Sequence, residues 1–262
     1  MSNKDHILQQ LIAMSRALGD PESDYVIIGE GNTSARIGDA TFWVKASGSR
    51  LHRIDAEGFI EMNFNGVLGM LDGNELSDDE VKHKLTAAKA DPASPAWPSL
   101  ETALHALALT LGGAEYVGHT HPTAVNVILC SQNVAEVIRG RLFPEEVTYC
   151  GRAPAFVPYA DPGLPLARKV REALVRHLDD YGERPKVILI QNHGLIALGQ
   201  TPTEVENITA MCVKTARVLM GTLALGGPRF MSAQDIERIY SRPDEALRQR
   251  KSVSAPKHTE AR

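Results

Sequence analysis

The stretch that most restricts the fold is KVILIQNHGLIALG, residues 186–199. It is apolar except at Asn192-His193-Gly194, so the simplest reading is two buried strands joined by a tight turn. A helical pattern precedes it over 164–180. A strong helix start follows it at Thr201-Pro202-Thr203-Glu204, with an N-cap, Pro at N1 and Glu at N3, and that helix runs to about Leu225.

The same reading extends along the chain. Residues 3–18 carry Ile7, Leu8, Leu11, Ile12, Met14 and Leu18 on a helical stripe that Gly19-Asp20-Pro21 ends. Strands are expected at Val26-Ile27-Ile28, from Thr33 to Ile37 and over Thr41–Val44, with turns at Gly29–Asn32 and Gly38-Asp39. Ser77-Asp78-Asp79-Glu80 has the form of a capping box before a short helix, and ADPASPAWP at 90–98 is loop-like. Pro98-Ser99 opens a helix carrying Leu100, Leu104, Leu107 and Leu111, stopped by Gly112-Gly113. Tyr116 to His121 reads as a strand, and Pro122 starts another helix. A β-prone piece lies near Val147–Tyr149. No repeat or linker interrupts this alternation, so one α/β domain over 1–250 is expected, with a disordered tail at 251–262.

Composition excludes several classes of function. A formal charge of −4 lacks the basic footprint of a nucleic-acid binder, and no run approaches the ~20 apolar residues of a membrane span. The start, MSNKDHILQQ, lacks a signal-peptide core, and Cys130, Cys150 and Cys212 have no zinc-finger spacing. A cytoplasmic protein with reduced thiols is expected. Cys130 and Cys212 sit on apolar helix stretches and read as buried, while Cys150, after Tyr149, could line a site.

The chemistry lies in the histidines. On a strand, His119 and His121 face one side and Thr120 the other, so the two imidazoles can share a metal or form a surface pair. His193, at the mouth of a buried strand beside Gly194, suits a third ligand or a structural role. Three histidines leave the fourth position of a catalytic zinc open. Glu101, in the first turn of its helix, supplies an acid there or satisfies the helix dipole. His105, four residues on, either orients that acid or packs in the core; His6, His52, His83, His177 and His258 read as surface residues. The loops Gly29–Ser34 and Ala46-Ser47-Gly48-Ser49 could cradle an anion or serve as ordinary turns. Lys45, Arg50, Arg139, Arg141 and Arg152 are candidate anion contacts, solvated surface being the default.

In order, GNTS, ASG, PSLETALH, GHTHPTAV and QNHGLIALG resemble the class II, metal-dependent aldolase/adducin family, typified by fuculose-1-phosphate and rhamnulose-1-phosphate aldolases; the resemblance covers roughly residues 8–225. It implies a three-layer α/β/α domain around a mainly antiparallel sheet, and a tetramer with sites between subunits. It implies His119, His121 and His193 as zinc ligands, Glu101 as catalytic acid/base, and Asn32, Ser47, Gly48 and Ser99 as phosphate-binding positions. Tyr149 falls near the tyrosine that, from a neighbouring subunit, protonates the departing aldehyde; Tyr240 is the other candidate for that second acid. The implied reaction is retro-aldol cleavage of a ketose or ketose phosphate through a zinc-held enediolate. Mn2+ or Co2+ also suit three imidazoles. Two departures bear on this. Leu100 replaces the second serine that sugar-phosphate aldolases commonly carry, and the polar segment 72–97 is long. The missing hydroxyl tilts toward a substrate without phosphate, so a decarboxylase acting on a β-keto or aromatic acid is the nearest alternative. The epimerase branch carries aspartate at the Glu101 position, and an adducin-like module without catalysis would be expected to lose its metal ligands; all of them are present here.

Overall fold

The computed structural model describes residues 2–73 and 75–242. The expected tail at 251–262, the last residues of the expected 1–250 domain and His258 lie outside them.

Seven strands form one sheet. They are β1 (Asn32–Arg36), β2 (Thr41–Lys45), β3 (Phe59–Asn63), β4 (Tyr116–Thr120), β5 (Ala155–Val157), β6 (Val187–Ile190) and β7 (Gly194–Gly199). Their spatial order is β3-β2-β1-β4-β7-β6-β5, and only the β5–β6 pair is parallel. The main helices are α1 (Asn3–Leu18), α2 (Phe64–Leu68), α3 (Asp78–Ala87), α4 (Thr102–Leu109), α5 (Thr123–Leu129), α6 (Val134–Val137), α7 (Pro144–Cys150), α8 (Leu164–Tyr181), α9 (Pro202–Leu223) and α10 (Ala233–Tyr240).

The alternation of strand side chains splits the core into two layers. Val117, Ile196 and Leu198 face one way, onto α2, α3, α4 and α8. Tyr116, Leu195 and Ala197 face the other, onto α1, α5, α7 and α9. Both faces of the sheet are therefore covered, as the all-apolar β6 and β7 require. The expected three-layer α/β/α domain around a mainly antiparallel sheet is the fold found.

The expected hairpin at 186–199 forms: Ile190 pairs with Gly194, and the turn between them holds Asn192 at φ 55°. The expected helix starts form as well. Ser77 accepts from the Glu80 N–H at 3.4 Å, and the Glu80 carboxylate accepts the Ser77 N–H at 2.8 Å. Thr201 accepts the Glu204 N–H at 3.2 Å.

Several local expectations are corrected. Val26-Ile27-Ile28 is not a strand: Ile27 accepts the Glu30 N–H at 3.0 Å, and Ile28 has φ 54° and lies 76% exposed. The edge these β-branched residues would need is already filled, because β1 lies between β2 and β4. Residues 147–149 are helical, not β: Pro144 at N1 and the acids Glu145 and Glu146 in the first turn outweigh the β propensity of Val147-Thr148-Tyr149. The helix expected from Pro98 starts at Thr102, with Glu101 at its N-cap. Cys130 is exposed because it caps the outer end of α5, whereas Cys150 is buried and Cys212 partly so. His177 is buried: it continues the inward stripe Val170, Ala173 and Leu174 of α8 and stacks on Tyr181.

Candidate metal centre

The site grows from the β1–β4–β7 register. Asn32 lies opposite His119, and Ser34 opposite Val117, so Asn32, Ser34 and His119 project to the face that α4 covers. Across β4, His119 lies opposite Ile196 and Thr120 opposite Leu195, which brings the turn carrying His193 beside the end of β4. His121 lies one residue past the strand, where its N–H is held by the Tyr25 carbonyl at 2.8 Å. Two glycines make the approach possible. A Cβ on Gly194 would come within 2.6 Å of the His121 ring and of the Thr120 carbonyl. Gly31, at φ 69°, lies where a Cβ would meet the His119 carbonyl at 2.7 Å.

The three imidazoles converge. His119 Nε2 is 3.0 Å from His121 Nε2 and 3.2 Å from His193 Nε2. Tetrahedral ligands at the usual Zn–N distance of ~2.0–2.1 Å lie roughly 3.3 Å apart, so the spacing suits one ion. The His119 Nδ1–H donates to the Leu195 carbonyl at 2.9 Å, which leaves the Nε2 lone pair free. Glu30 Oε1 lies 3.8 Å from His121 Nδ1 on the far side of that ring. Burial, followed by the neighbouring His119, pushes His121 down to about 3; burial also lowers His119. Both rings are therefore neutral near pH 7, the state a metal ligand requires. The donor set fits a divalent metal of the borderline type.

Glu101 completes the group. Its Oε1 lies 3.2 Å from His193 Nε2 and 3.7 Å from His119 Nε2, and its Oε2 accepts the Asn32 amide N–H at 2.6 Å. Burial alone would raise its pKa; the His119 ring and hydrogen bonds from His193 and Asn32 outweigh that and hold it well below the usual carboxylate range. Glu101 is thus anionic.

Behind it runs a buried chain that local sequence did not disclose. The other end of the Asn32 amide, Oδ1, meets His105 Nε2, and His105 Nδ1 is 2.7 Å from Ser34 Oγ. Burial, then the nearby His119, pushes His105 down to about 3, so it is neutral and carries one N–H. With the Asn32 NH2 turned to a carboxylate, the network assigns His105 the Nε2–H form, with Ser34 donating to Nδ1. Lys45, a surface residue by default on its sequence, is 5% exposed, and the charge of Glu101 opposes the fall in pKa that burial imposes on it. The signal available for it was its place beside the ASG loop.

The other expected site residues divide into two groups. The Ser47 N–H donates to the Trp97 carbonyl at 2.8 Å, Ala46 bridges to Pro98, and Ser99 Oγ accepts the Glu101 N–H at 3.2 Å. Ser47, Gly48 (φ 86°) and Ser99 are therefore gathered beside Glu101, although they are far apart in sequence. Asn32, in contrast, spends its amide on Glu101 and His105. Tyr149 is half-buried against the α9-side core, and Tyr240 on α10 donates to the Glu183 carboxylate. Neither tyrosine is brought to the triad within the protomer. Cys150 faces Cys212 at 3.7 Å and not the histidines.

With this geometry in hand, comparison with known proteins is specific. Residues 9–220 match the model of the class II aldolase and adducin N-terminal domain. The chain belongs to the class II aldolase and adducin family. Among curated relatives of this family, it is 28% identical over 207 residues to the Bacillus subtilis protein named uncharacterized oxidoreductase YuxG; the match takes in 74% of this chain but 27% of that protein's length. It is 25% identical over 222 residues to the 3-oxo-tetronate 4-phosphate decarboxylase of Haemophilus influenzae, covering 84% of this chain and 90% of the relative. The fold superposes on an L-fuculose 1-phosphate aldolase with a TM-score of 0.66 at 17% identity, over 92% of this chain and 98% of that one. No helix among the described residues is long and apolar enough to cross a membrane.

Proposed function

We infer that this protein is a divalent-metal lyase that breaks a carbon–carbon bond in a hydroxy-ketone, by retro-aldol cleavage of a ketose or ketose phosphate. The observation that carries the reading is the convergence of three histidine Nε2 atoms with Glu101 Oε1 3.2 Å from one of them. His119, His121 and His193 would hold the ion, with Zn2+ favoured and Mn2+ or Co2+ also suited. When bound, such an ion supplies Lewis-acid stabilisation of the negative charge that develops on the substrate's oxygens.

The chain's own residues supply the rest. Glu101 Oε1 moves the proton at the carbon beside the substrate carbonyl, returning it in cleavage and removing it in condensation. Asn32 holds Oε2, and Oε1, the oxygen on the histidine side, is the one that acts. Ser47, Gly48 and Ser99 offer hydroxyls and backbone N–H groups for an anionic end of the substrate, and buried Lys45 adds a cation nearby. Tyr149, or Tyr240, is assigned as second acid at the site of a neighbouring copy, which makes a homo-oligomer, a tetramer by family resemblance, part of the reading. The protein acts in the cytoplasm in carbohydrate metabolism, and one catalytic domain spans residues 1–250.

A second reading is decarboxylation of a β-keto acid by the same residues. It is favoured by the similarity to the Haemophilus influenzae decarboxylase along nearly that protein's full length and by Leu100 in place of a second serine. One screen separates the two: the zinc-loaded protein with ketose 1-phosphates, free ketoses and β-keto acids. Release of a three-carbon ketone or its phosphate supports aldol cleavage, release of CO2 supports decarboxylation, and no turnover of any class refutes both. Glu101→Gln is expected to keep its metal and lose about 10²–10⁴-fold in kcat. Near-normal turnover in that variant would remove Glu101 from the mechanism.

A further inference from the structure

A second cavity lies between α5, α7 and α9 and shares no residue with the metal centre. Its volume is about 60 Å3, and its walls include Val125, Leu129, Val187 and Leu219, with Phe230 packed over it. The polar part of the lining is Arg141, Glu146 and Thr215. Arg141 is 4% exposed. Its Nη1 donates to Glu146 Oε1 at 3.1 Å and its Nε to the Gly151 carbonyl at 2.8 Å, while Glu146 Oε2 accepts the Leu142 N–H at 2.7 Å. Arg141 Nη2 and Thr215 Oγ1 are buried, and among the described residues neither has a hydrogen-bond partner. Buried donors left unmade are costly, and two of them lining one apolar cavity point to something that completes them.

The chemistry of the occupant follows from charge and size. Arg141 and Glu146 already neutralise each other, so a carboxylate or phosphate would bring an uncompensated charge into an apolar space. A neutral oxygen can accept from the guanidinium and from the hydroxyl without that penalty. An engineered cavity of ~150 Å3 holds the six carbons of benzene, so about 60 Å3 corresponds to roughly two or three non-hydrogen atoms. The geometry points to a binding site for a small neutral molecule with a compact aliphatic body and one carbonyl or hydroxyl oxygen, held by Arg141 Nη2 and Thr215 Oγ1. The site is independent of the lyase reading, because its walls contain none of the residues used there. Its wall does touch the metal turn: the Leu129 carbonyl accepts the Asn192 N–H at 3.2 Å, next to His193.

Ethanol, a neutral alcohol of that size, is the probe. Crystals of the full chain soaked in it are expected to show the alcohol oxygen within hydrogen-bond distance of Arg141 or Thr215. In solution, the methyl resonances of Val125, Val187 and Leu219 are expected to shift saturably. Thr215→Val keeps the shape and removes the hydroxyl, and should weaken binding about fivefold. Ala216→Leu fills the space and should abolish binding; it also serves if Thr215→Val does not fold. Ordered water alone in the soaked cavity, an adventitious additive only, or equal affinity in the two variants and the parent would each overturn the assignment.

Discussion

Asn32 shows how much one residue's placement decides. Its amide is shared between Glu101 on one end and His105 on the other, so the carboxylate is aimed by a residue 69 positions earlier in the chain. Losing such an outer support costs about 10–100-fold in metal sites. Asn32→Leu and His105→Phe are therefore expected to retain one metal per chain while kcat falls by that factor, as measured by metal analysis beside steady-state kinetics; loss of metal instead would place these residues in ion binding. The buried histidines also fix a pH dependence. His105 and His121 have folded values near 3, far below an unfolded value of 6.5. Between those limits the unfolded chain binds more protons than the folded one, so the stability of the metal-free protein is full above about pH 6.5 and declines as pH falls toward 3. Chemical denaturation across pH 4–8 checks this, and a flat midpoint would contradict it.

Among the elements, the β6–β7 hairpin is both the most legible part of the sequence and the most demanding part of the structure. Its apolar run and its Asn192-His193-Gly194 break are visible by eye, and Gly194 has no room for a side chain. Gly194→Ala is expected to displace the His121 ring and weaken zinc binding at least tenfold, measured by competition with a chromophoric chelator. Thr201→Ala removes the N-cap of α9 and should cost about 1 kcal/mol in denaturant unfolding without altering the metal site. The strand carrying His119, the hairpin whose turn carries His193, the helix starts at Ser77 and Thr201 and the inward stripe of α8 could all be read because each is a local pattern. Three features could not. The helix at Pro144–Cys150 hides β-branched residues behind a favourable start. Ile28 looks like strand, but both sides of the neighbouring β1 are already taken by β2 and β4. The Glu101–Asn32–His105–Ser34 chain joins β1 to α4, and no window of sequence contains both of its halves. Lys45 belongs with these, since only the tertiary fold reveals that its ammonium is enclosed.

For the molecule as a whole, the metal would join the end of β4 to the turn before β7, in the middle of a sheet whose two faces carry separate cores. Binding to the folded state alone stabilises by mass action, about 2.7 kcal/mol at a free metal concentration 100 times Kd. Chelation is therefore expected to lower the melting temperature of the parent protein and leave that of His193→Ala unchanged. An identical loss in both would mean that the chelator acts elsewhere.

The strand order has one more consequence, which concerns the making of the chain. The middle of the sheet alternates early and late segments, with β4 flanked by β1 on one side and β7 on the other. A ribosome adding about 5–20 residues per second needs roughly 4–14 s to travel the 72 positions (193 − 121) from His121 to His193. Throughout that interval the nascent protein holds two of its three imidazoles and an unclosed sheet, so it chelates poorly and offers an open β-edge. A metal held by these histidines would consequently be a late guest, loaded after β7 has paired with β4, and the interval before that is when the chain most needs shielding from its neighbours.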